Sequence, residues 1–317
     1  MDSERISVVV ATRDRPSMLQ HCLESVRGAL RAGDELIVVD SASREPATIR
    51  QLADAHDARY LRCDVPGASY ARNVGWRAAS NGIIAFIDDD VSVRPDWADA
   101  VAAALAEDQG LGFVTGRLDL PDPERHFERP VAVFDHDASF DIGPSTDEPY
   151  GHGANHAVRR AALEQVRGFD ERLGAGQEFR AAEDLDLWDR LIRGGFVGRY
   201  VPEVVGYHDQ WRRRRHFVGL DWSYGYGGGV RVAKLLRADV RRGLHSTRLF
   251  LWDWGAKLFW RHLWYRQVFL AELTVIRMCG VLVGLARGIV IPIEDGHLAP
   301  RQPRGGPPRD DRRAGRR

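Results

Sequence analysis

The stretch Ile83-Ile84-Ala85-Phe86-Ile87-Asp88-Asp89-Asp90 decides the fold of this 317-residue chain. Five apolar residues run directly into three adjacent carboxylates. An unbroken apolar run of this length suits a strand buried on both faces of a parallel sheet. The carboxylates then fall at the strand's C-terminal end, where open α/β sheets bind ligands. Three clustered negative charges repel one another and are costly without a cation. Hard oxygen ligands of this kind suit Mg²⁺ or Mn²⁺, often shared with a substrate's phosphates. Read alone, the same residues also fit an acidic turn, so the flanking sequence has to decide.

Strand-like and helix-like segments alternate on both sides of it. Ile6 to Ala11 reads as a strand, Ser17 to Leu30 as a helix, Glu35 to Asp40 as a strand and Pro46 to His56 as a helix. A short strand near Arg59 to Cys63 and a helix from Ala68 to Ser80 lead into the quoted stretch. A helix from Pro95 to Glu107 and a strand from Gly112 to Leu118 follow it. This alternation predicts βαβ units and a parallel sheet. Asp119 to Gly151 is rich in Pro, Asp and His, and a loop of that length inside a domain reads as a lid or binding loop. His156 to Val166 and Glu183 to Arg193 read as two further helices. In such a sheet the strand ends converge on one crevice, bringing together Thr12-Arg13, Asp40-Ser41 and Asp88 to Asp90. Asp40 can then hydrogen-bond a ribose hydroxyl or a base N–H. Arg72, near the start of its helix, can reach a diphosphate, although an exposed helical arginine reads the same way. Val10-Ala11-Thr12-Arg13-Asp14-Arg15 is not the GxGxxG of a dinucleotide site, and no GxxxxGK[ST] loop occurs.

In these residues the chain resembles a family 2 glycosyltransferase with the GT-A fold. The resemblance rests on Val8 to Arg13, Val38 to Ser43, Ala71-Arg72-Asn73-Val74-Gly75, Phe86 to Asp90, Gly153-Ala154-Asn155, Gly168-Phe169-Asp170-Glu171 and Glu183-Asp184-Leu185-Asp186-Leu187. They occur in the family's order over about residues 5 to 210. The resemblance implies a GT-A fold, Rossmann-like with a mostly parallel central sheet. It also implies a nucleoside-diphosphate sugar donor (UDP, dTDP or GDP), a divalent metal and an inverting transfer. Carried over by position, Asp40 contacts the nucleobase and Thr12 or Arg13 the nucleotide. Asp88, with Asp89 beside it, holds ribose or sugar, and Asp90 ligates a Mn²⁺ or Mg²⁺ that bridges the diphosphate. His208 matches a position where some relatives supply another metal ligand; a core or solvated histidine is the plain alternative. Asp184 is the expected general base, with Glu183 as the fallback, since an acceptor hydroxyl must lose its proton as the bond forms. Acidic residues also favour a helix start for dipole reasons alone. Gly153, Ala154, Asn155 and Asp170 are expected on the acceptor side. A sugar nucleotidyltransferase or an inactive nucleotide-sugar-binding scaffold is the alternative, but the first leaves Glu183-Asp184 without a role.

The division expected is a GT-A domain over 1–210 (donor half 1–118, acceptor half 119–210), a basic, aromatic helical region over 211–295 and a disordered tail over 296–317. Apolar residues make up 44% and charged residues 28%, enough for a large core, and the formal net charge is zero. That charge is uneven: Trp211 to Gln267 holds thirteen Lys/Arg against three Asp/Glu. No nucleic-acid partner is expected; the basic excess points to an anionic surface or substrate. Trp252, Trp254, Trp260 and Trp264 crowd one segment, with a basic stripe at Lys257 and Arg261. This pattern suits a helix lying in a membrane interface and equally one packed on the core or on a second subunit of a homo-oligomer. Val268 to Ile293 is apolar but interrupted by Glu272, Arg277 and Arg287, which favours an interfacial over a spanning segment. Tyr224 to Gly229 reads as a flexible turn, a candidate lid. No QxxRW motif occurs, so addition of one sugar to a glycan or glycolipid acceptor is expected rather than polymer synthesis. Cys22, Cys63 and Cys279 form no CxxC pair, and Met1 to Arg5 lacks a signal peptide's form. The expectation is a cytoplasmic protein, peripheral on the inner face of the cell membrane.

Overall fold

The computed structural model describes residues 4–121, 129–130, 133–146 and 150–300. Part of the long loop and residues 301–317 lie outside the described residues; of the tail expected to be disordered from 296, residues 297 and 298 form a strand and Leu298 is buried. The first half follows the predicted alternation: β1 (Ile6–Thr12), α1 (Pro16–Ala29), β2 (Glu35–Ser41), α2 (Pro46–Ala55), β3 (Arg59–Cys63), α3 (Ala68–Ala78) and β4 (Ile83–Asp88). Strand β1 lies between β2 and β4, parallel to both, with Thr12 opposite Asp40 and Ala11 opposite Asp88. Ile83 to Ile87 are fully buried, as the unbroken apolar run requires. The register sets Thr12, Asp40 and Asp88 along one edge of the sheet.

The second half continues through β5 (Val91–Val93), α4 (Trp97–Glu107), β6 (Leu111–Asp119), β7 (Arg129–Pro130), β8 (Phe140–Ile142), β9 (Asn155–Arg159), α5 (Arg160–Val166), α6 (Glu183–Arg193), β10 (Val197–His208) and β11 (Trp211–Arg212). The main sheet runs β3-β2-β1-β4-β9-β6-β10-β5, with β8 also on β10. The helix expected from His156 is a correction. Asn155 to Arg159 pairs antiparallel with β4 on one side and β6 on the other, and the helix starts only at Arg160. Helix-compatible residues become a strand here because two strand edges need hydrogen-bond partners. Strand β10 then returns antiparallel to β5, placing His208 opposite Val91.

Beyond β11 come α7 (Arg214–Ala238), α8 (Val240–Arg248), a π-helical stretch (Leu249–Ala256), α9 (Lys257–Trp264), α10 (Val268–Val290) and a small hairpin of β12 (Ile293–Glu294) and β13 (His297–Leu298). Tyr224 to Gly229 is no turn; it lies inside α7. Its glycines weaken the helix locally but let α10 approach. A Cβ on Gly225 would lie 2.2 Å from the Arg277 carbonyl oxygen, and one on Gly229 2.2 Å from that of Val281. The approach is mutual, since a Cβ on Gly284 would meet the Tyr226 carbonyl oxygen at 2.1 Å. Helix α10 is long and apolar enough to cross a membrane by length and composition, and one third of its most apolar window is buried.

Helix α7 is tied to α6 by buried charge. Lys234 Nζ donates to Asp170 at 2.5 Å and lies 2.6 Å from Asp186. Arg190 Nε reaches Asp186 at 2.9 Å, and Arg231 Nε reaches Asp189 at 2.6 Å. The hairpin closes the same cluster, with the Leu298 N–H donating to Asp170 at 2.8 Å. Burial pushes the Asp186 carboxyl up, but Lys234 and Arg190 outweigh it and hold it at about 2. An unfolded aspartate titrates near about 3.9. The depressed value therefore adds stability above about pH 4 that is lost as the pH falls through about 2. Lys234→Met leaves two buried carboxylates without their shared cation. Urea unfolding at pH 7 should show a loss of about 3–5 kcal/mol, and the gap to the parent protein should narrow between about pH 4 and 2. A gap that stays constant with pH would place the energetics elsewhere.

Candidate active site

The three carboxylates at the end of β4 draw partners from several elements, and two of them share Arg15. Asp88 accepts from Arg72 Nη2 at 2.6 Å. Asp89 accepts from Thr12 Oγ1 at 2.7 Å and from Arg15 Nη1 at 3.0 Å. Asp90 meets Arg15 Nη1 at 3.0 Å, Gln210 Nε2 at 3.3 Å and His208 Nε2 at 3.3 Å. Burial lifts the Asp89 carboxyl to about 6, with Arg15 opposing and Asp90 adding to the rise. Burial acts on Asp90 in the same sense, but His208 and Arg15 bring it down to about 2. These residues open onto a cavity of about 360 Å³, lined also by Arg13, Ser41, Gly67, Gly176 and Glu183. Its size and its mixture of cationic and anionic walls suit a phosphorylated nucleotide.

The far wall is the start of α6. Ala182 precedes it in the left-handed region at φ 69° and ψ 19°, a conformation costing a non-glycine residue about 1–2 kcal/mol. That turn points Glu183 at Arg72, whose Nη1 lies 2.9 Å from Glu183 Oε1. Burial raises the Glu183 carboxyl, Arg72 opposes this and Asp184 adds to it. Asp184 accepts from the Gly153 N–H at 2.9 Å and from the Leu185 N–H at 2.8 Å. Only glycine fits at position 153, because a Cβ there would lie 2.6 Å from Asp184 Oδ2. Arg72 thus spans the gap between the Asp88 side and the Glu183 side.

The structure brings Thr12, Arg13, Arg72, Asp88, Asp89, Asp90 and Glu183 to one cavity; Asp184 is next to Glu183 in the chain, and His208 lies 3.3 Å from Asp90. Asp40 is fully buried; its carboxylate accepts from Ser43 N, Tyr60 OH and Arg62 Nη1 and shapes the turn after β2. Two acceptor-side expectations need correcting. Asn155 is buried, and its Nδ2 donates to the carbonyls of Arg117 and Val204 while its Oδ1 accepts from Trp97. It joins strands rather than facing a ligand. Asp170 belongs to the buried Lys234 cluster. Ala154 is also buried, and its carbonyl accepts from the Asp88 N–H at 3.2 Å. Gly153 contributes by seating Asp184. Sequence reasoning missed Arg15, Gln210 and His152. A lone arginine before Pro16 carries no motif, and His152 stands out only because its ring lies 5.5 Å from that of His208. Burial and the nearby His208 hold the His152 imidazole below its ordinary value.

A Rossmann-like sheet edge with clustered carboxylates, faced by a Glu-Asp pair at a helix start, defines a glycosyltransferase of the GT-A class. The model of the family described as Glycosyl transferase family 2 matches residues 7–167, and the chain belongs to that family. It is similar to the pre-mycofactocin glycosyltransferase of Mycobacterium tuberculosis, 29% identical over 236 residues, covering 69% of this chain and 46% of the relative. It is also similar to the hyaluronan synthase of Pasteurella multocida, 35% identical over 242 residues, covering 65% of this chain and 24% of the synthase. The chain therefore spans less than half the length of these relatives. In fold it is similar to the mannosyltransferase PcManGT from Pyrobaculum calidifontis, solved with GDP-Man and Mn²⁺, at a TM-score of 0.59 and 20% identity over 88% of this chain and 75% of that one.

Arg72→Met tests the bridge across the cavity. It leaves Asp88 and Glu183 facing each other with no cation between them. Chemical denaturation at pH 7 should show a loss of about 3 kcal/mol. An unchanged midpoint would mean the two carboxylates carry no charge in the folded protein.

Proposed function

We propose that the chain transfers one sugar, with inversion, from a nucleoside-diphosphate sugar to a hydroxyl of a lipid-linked or membrane-proximal acceptor. The observation that carries this reading is the opposition of Asp88 to Asp90 and Glu183 across one cavity, with Asp184 following Glu183 at the helix start and seated on the Gly153 N–H. In the reaction the acceptor oxygen bonds to the anomeric carbon as that carbon's bond to the diphosphate oxygen breaks. The acceptor proton goes to a carboxylate. Asp184 takes that role in this reading: two backbone N–H groups fix it in place, while Glu183 is engaged by Arg72. Thr12, Arg13 and Arg15 line the donor side and face the diphosphate. Ser41, at the start of the turn that Asp40 holds, lies toward the base.

Among the described residues no group of three His, Cys, Asp or Glu side chains is arranged to hold a metal. Asp90 Oδ1 and His208 Nε2 lie 3.3 Å apart, a separation that suits two neighbouring ligands of one ion. Ions of the Mg²⁺ type commonly take one or two protein ligands and complete their shell with substrate phosphates and water. Asp90 and His208 would hold Mn²⁺ or Mg²⁺ in this way. The bound ion would supply charge stabilisation to the departing diphosphate. The solved mannosyltransferase contains GDP-Man and Mn²⁺, which supports this donor and metal class without selecting the base. The relatives are named for pre-mycofactocin and for hyaluronan, so their names carry no single acceptor to this chain.

Calorimetric titration with UDP, GDP and dTDP, each with Mn²⁺ and with EDTA, tests the donor side. One nucleotide should bind, and chelation or Asp90→Ala should weaken it at least about tenfold, the 1.4 kcal/mol step of a lost ligand contact. Affinity unmoved by either change removes the metal from the reading. On the acceptor side Asp184→Asn should keep nucleotide binding and lose about 10²–10⁴-fold in transfer rate. Turnover at the parent rate assigns the base elsewhere, and binding without turnover in the parent protein favours a nucleotide-sugar-binding scaffold.

A further inference from the structure

We propose that the outer face formed by the π-helical stretch, α9 and α10 docks on an anionic phospholipid bilayer. This rests on the transfer reading only for its purpose, which is to bring a lipid-borne acceptor to the cavity. None of the eight residues of α9 is buried. Trp260 is 67% exposed and Trp264 84% exposed, with Trp252 and Tyr265 also exposed beside them. Along α10 the exposed residues Val268, Val275, Leu282 and Ile289 recur every seven positions, which keeps them on one side of the helix. The opposite side carries Gly280, Gly284 and Gly288 against α7.

Charge selects the occupant. From Leu249 to Arg287 the chain holds five Lys/Arg and two Asp/Glu; Lys257 pairs with Asp253, Arg277 with Asp221 and Arg287 lies 4.0 Å from Glu178, so Arg261 and Arg266 carry the positive excess of the exposed face against Glu272 alone. A second copy of this chain on the same patch would set one positive excess against another, since a two-fold interface is built from identical surfaces. Dry protein contact would also strip water from the indole N–H groups and the guanidinium groups. At a bilayer interface the aromatic rings enter the boundary while their polar edges and the arginine heads stay hydrated among anionic headgroups. Full spanning by α10 is disfavoured. Its glycine side seats on α7, and α7 is held to α6 by the buried pairs of Arg231 and Lys234. The geometry therefore points to a helix lying on the bilayer with its far side kept in the protein.

The same helices fix the active site relative to this surface. A Cβ on Gly227 of α7 would meet the Ala181 carbonyl oxygen at 2.5 Å, immediately before Ala182 and Glu183. On α8, Arg242 Nη2 donates to the Tyr150 hydroxyl at 2.9 Å, in the loop that leads to Gly153.

The test is flotation of the full chain with large unilamellar vesicles of phosphatidylcholine, with and without phosphatidylglycerol, alongside analytical ultracentrifugation without lipid. The chain should float with the anionic vesicles roughly tenfold more than with neutral ones, and the excess should fall with added salt. Trp260→Ala/Trp264→Ala should lose roughly tenfold of the bound fraction while nucleotide binding by calorimetry stays unchanged. Flotation with neither vesicle overturns the proposal. So does equal flotation with both, or a dimer that the double substitution dissociates, which would assign the face to a second copy. Flotation needs no donor and calorimetry needs no lipid. Failure of docking with nucleotide binding intact leaves the transfer reading standing, and the converse result leaves docking standing.

Discussion

Three adjacent carboxylates at the end of a central strand cannot be left to one another. Two unit charges about 4 Å apart cost about 4 kcal/mol at the effective dielectric of a partly buried site. Each of the three therefore needs its own cation or hydrogen-bond donor, and the chain draws these from separate elements. Arg72 comes from α3, Arg15 from the residue before α1, and His208 from the end of β10. The sheet order serves this requirement. Strand β5 turns back against β10 directly after Asp90, and that register sets His208 beside it. The arrangement left by these pairings is a cavity with cations already in its walls, which is what a diphosphate requires.

A second set of buried acids extends the same logic to the C-terminal half. Asp170, Asp186 and Asp189 do not line the cavity, and Lys234 and Arg231 of α7 answer them. Breaking a buried pair costs more than forming it returns, because one charge is left with no solvent. Helix α7 is thereby bound to α6, and the glycines on its other face bind it to α10. A segment whose composition resembles an appendage is continuous with the support of Glu183 and Asp184.

How far the sequence alone could reach follows from this arrangement. Strands β1, β2 and β4 were legible because each is a continuous apolar run ending in a polar residue, and consecutive βα units pair in sequence order. The same strand ends named Thr12, Arg13 and Asp88 to Asp90 for the cavity. Strand β9 was not legible, since His156-Ala157-Val158 becomes a strand only in the gap between β4 and β6, each far away along the chain. The glycine run in α7 was read as a turn because glycine's local preference is visible in sequence while the helix it packs against is not. Asn155 and Asp170 show the same limit in polar residues. Their types fit a ligand contact, but hydrogen bonds to residues 38 to 128 positions away occupy them. Arg15 was missed for the opposite reason, because a single arginine at a loop carries no pattern until the fold sets it between two carboxylates.

The division of labour between the two ends of the molecule follows from stiffness. Transfer in a single displacement needs the base placed to within a fraction of an ångström of the acceptor oxygen, because reacting groups misplaced by about 1 Å lose about 10²-fold. Asp184, the proposed base, would meet that demand through two backbone N–H groups and a glycine that admits no side chain. Its helix is in turn held by buried charge rather than by loops. In the proposed docking, a surface on α9 and α10 would orient the whole molecule toward an acceptor without distorting the carboxylates proposed to act on it. Between α10 and Ala182 lie the glycine contacts of α7 and its ion pairs to α6. The wide exposed face and the rigid interior are consistent because α7 separates them, one side packed for close approach and the other for charge.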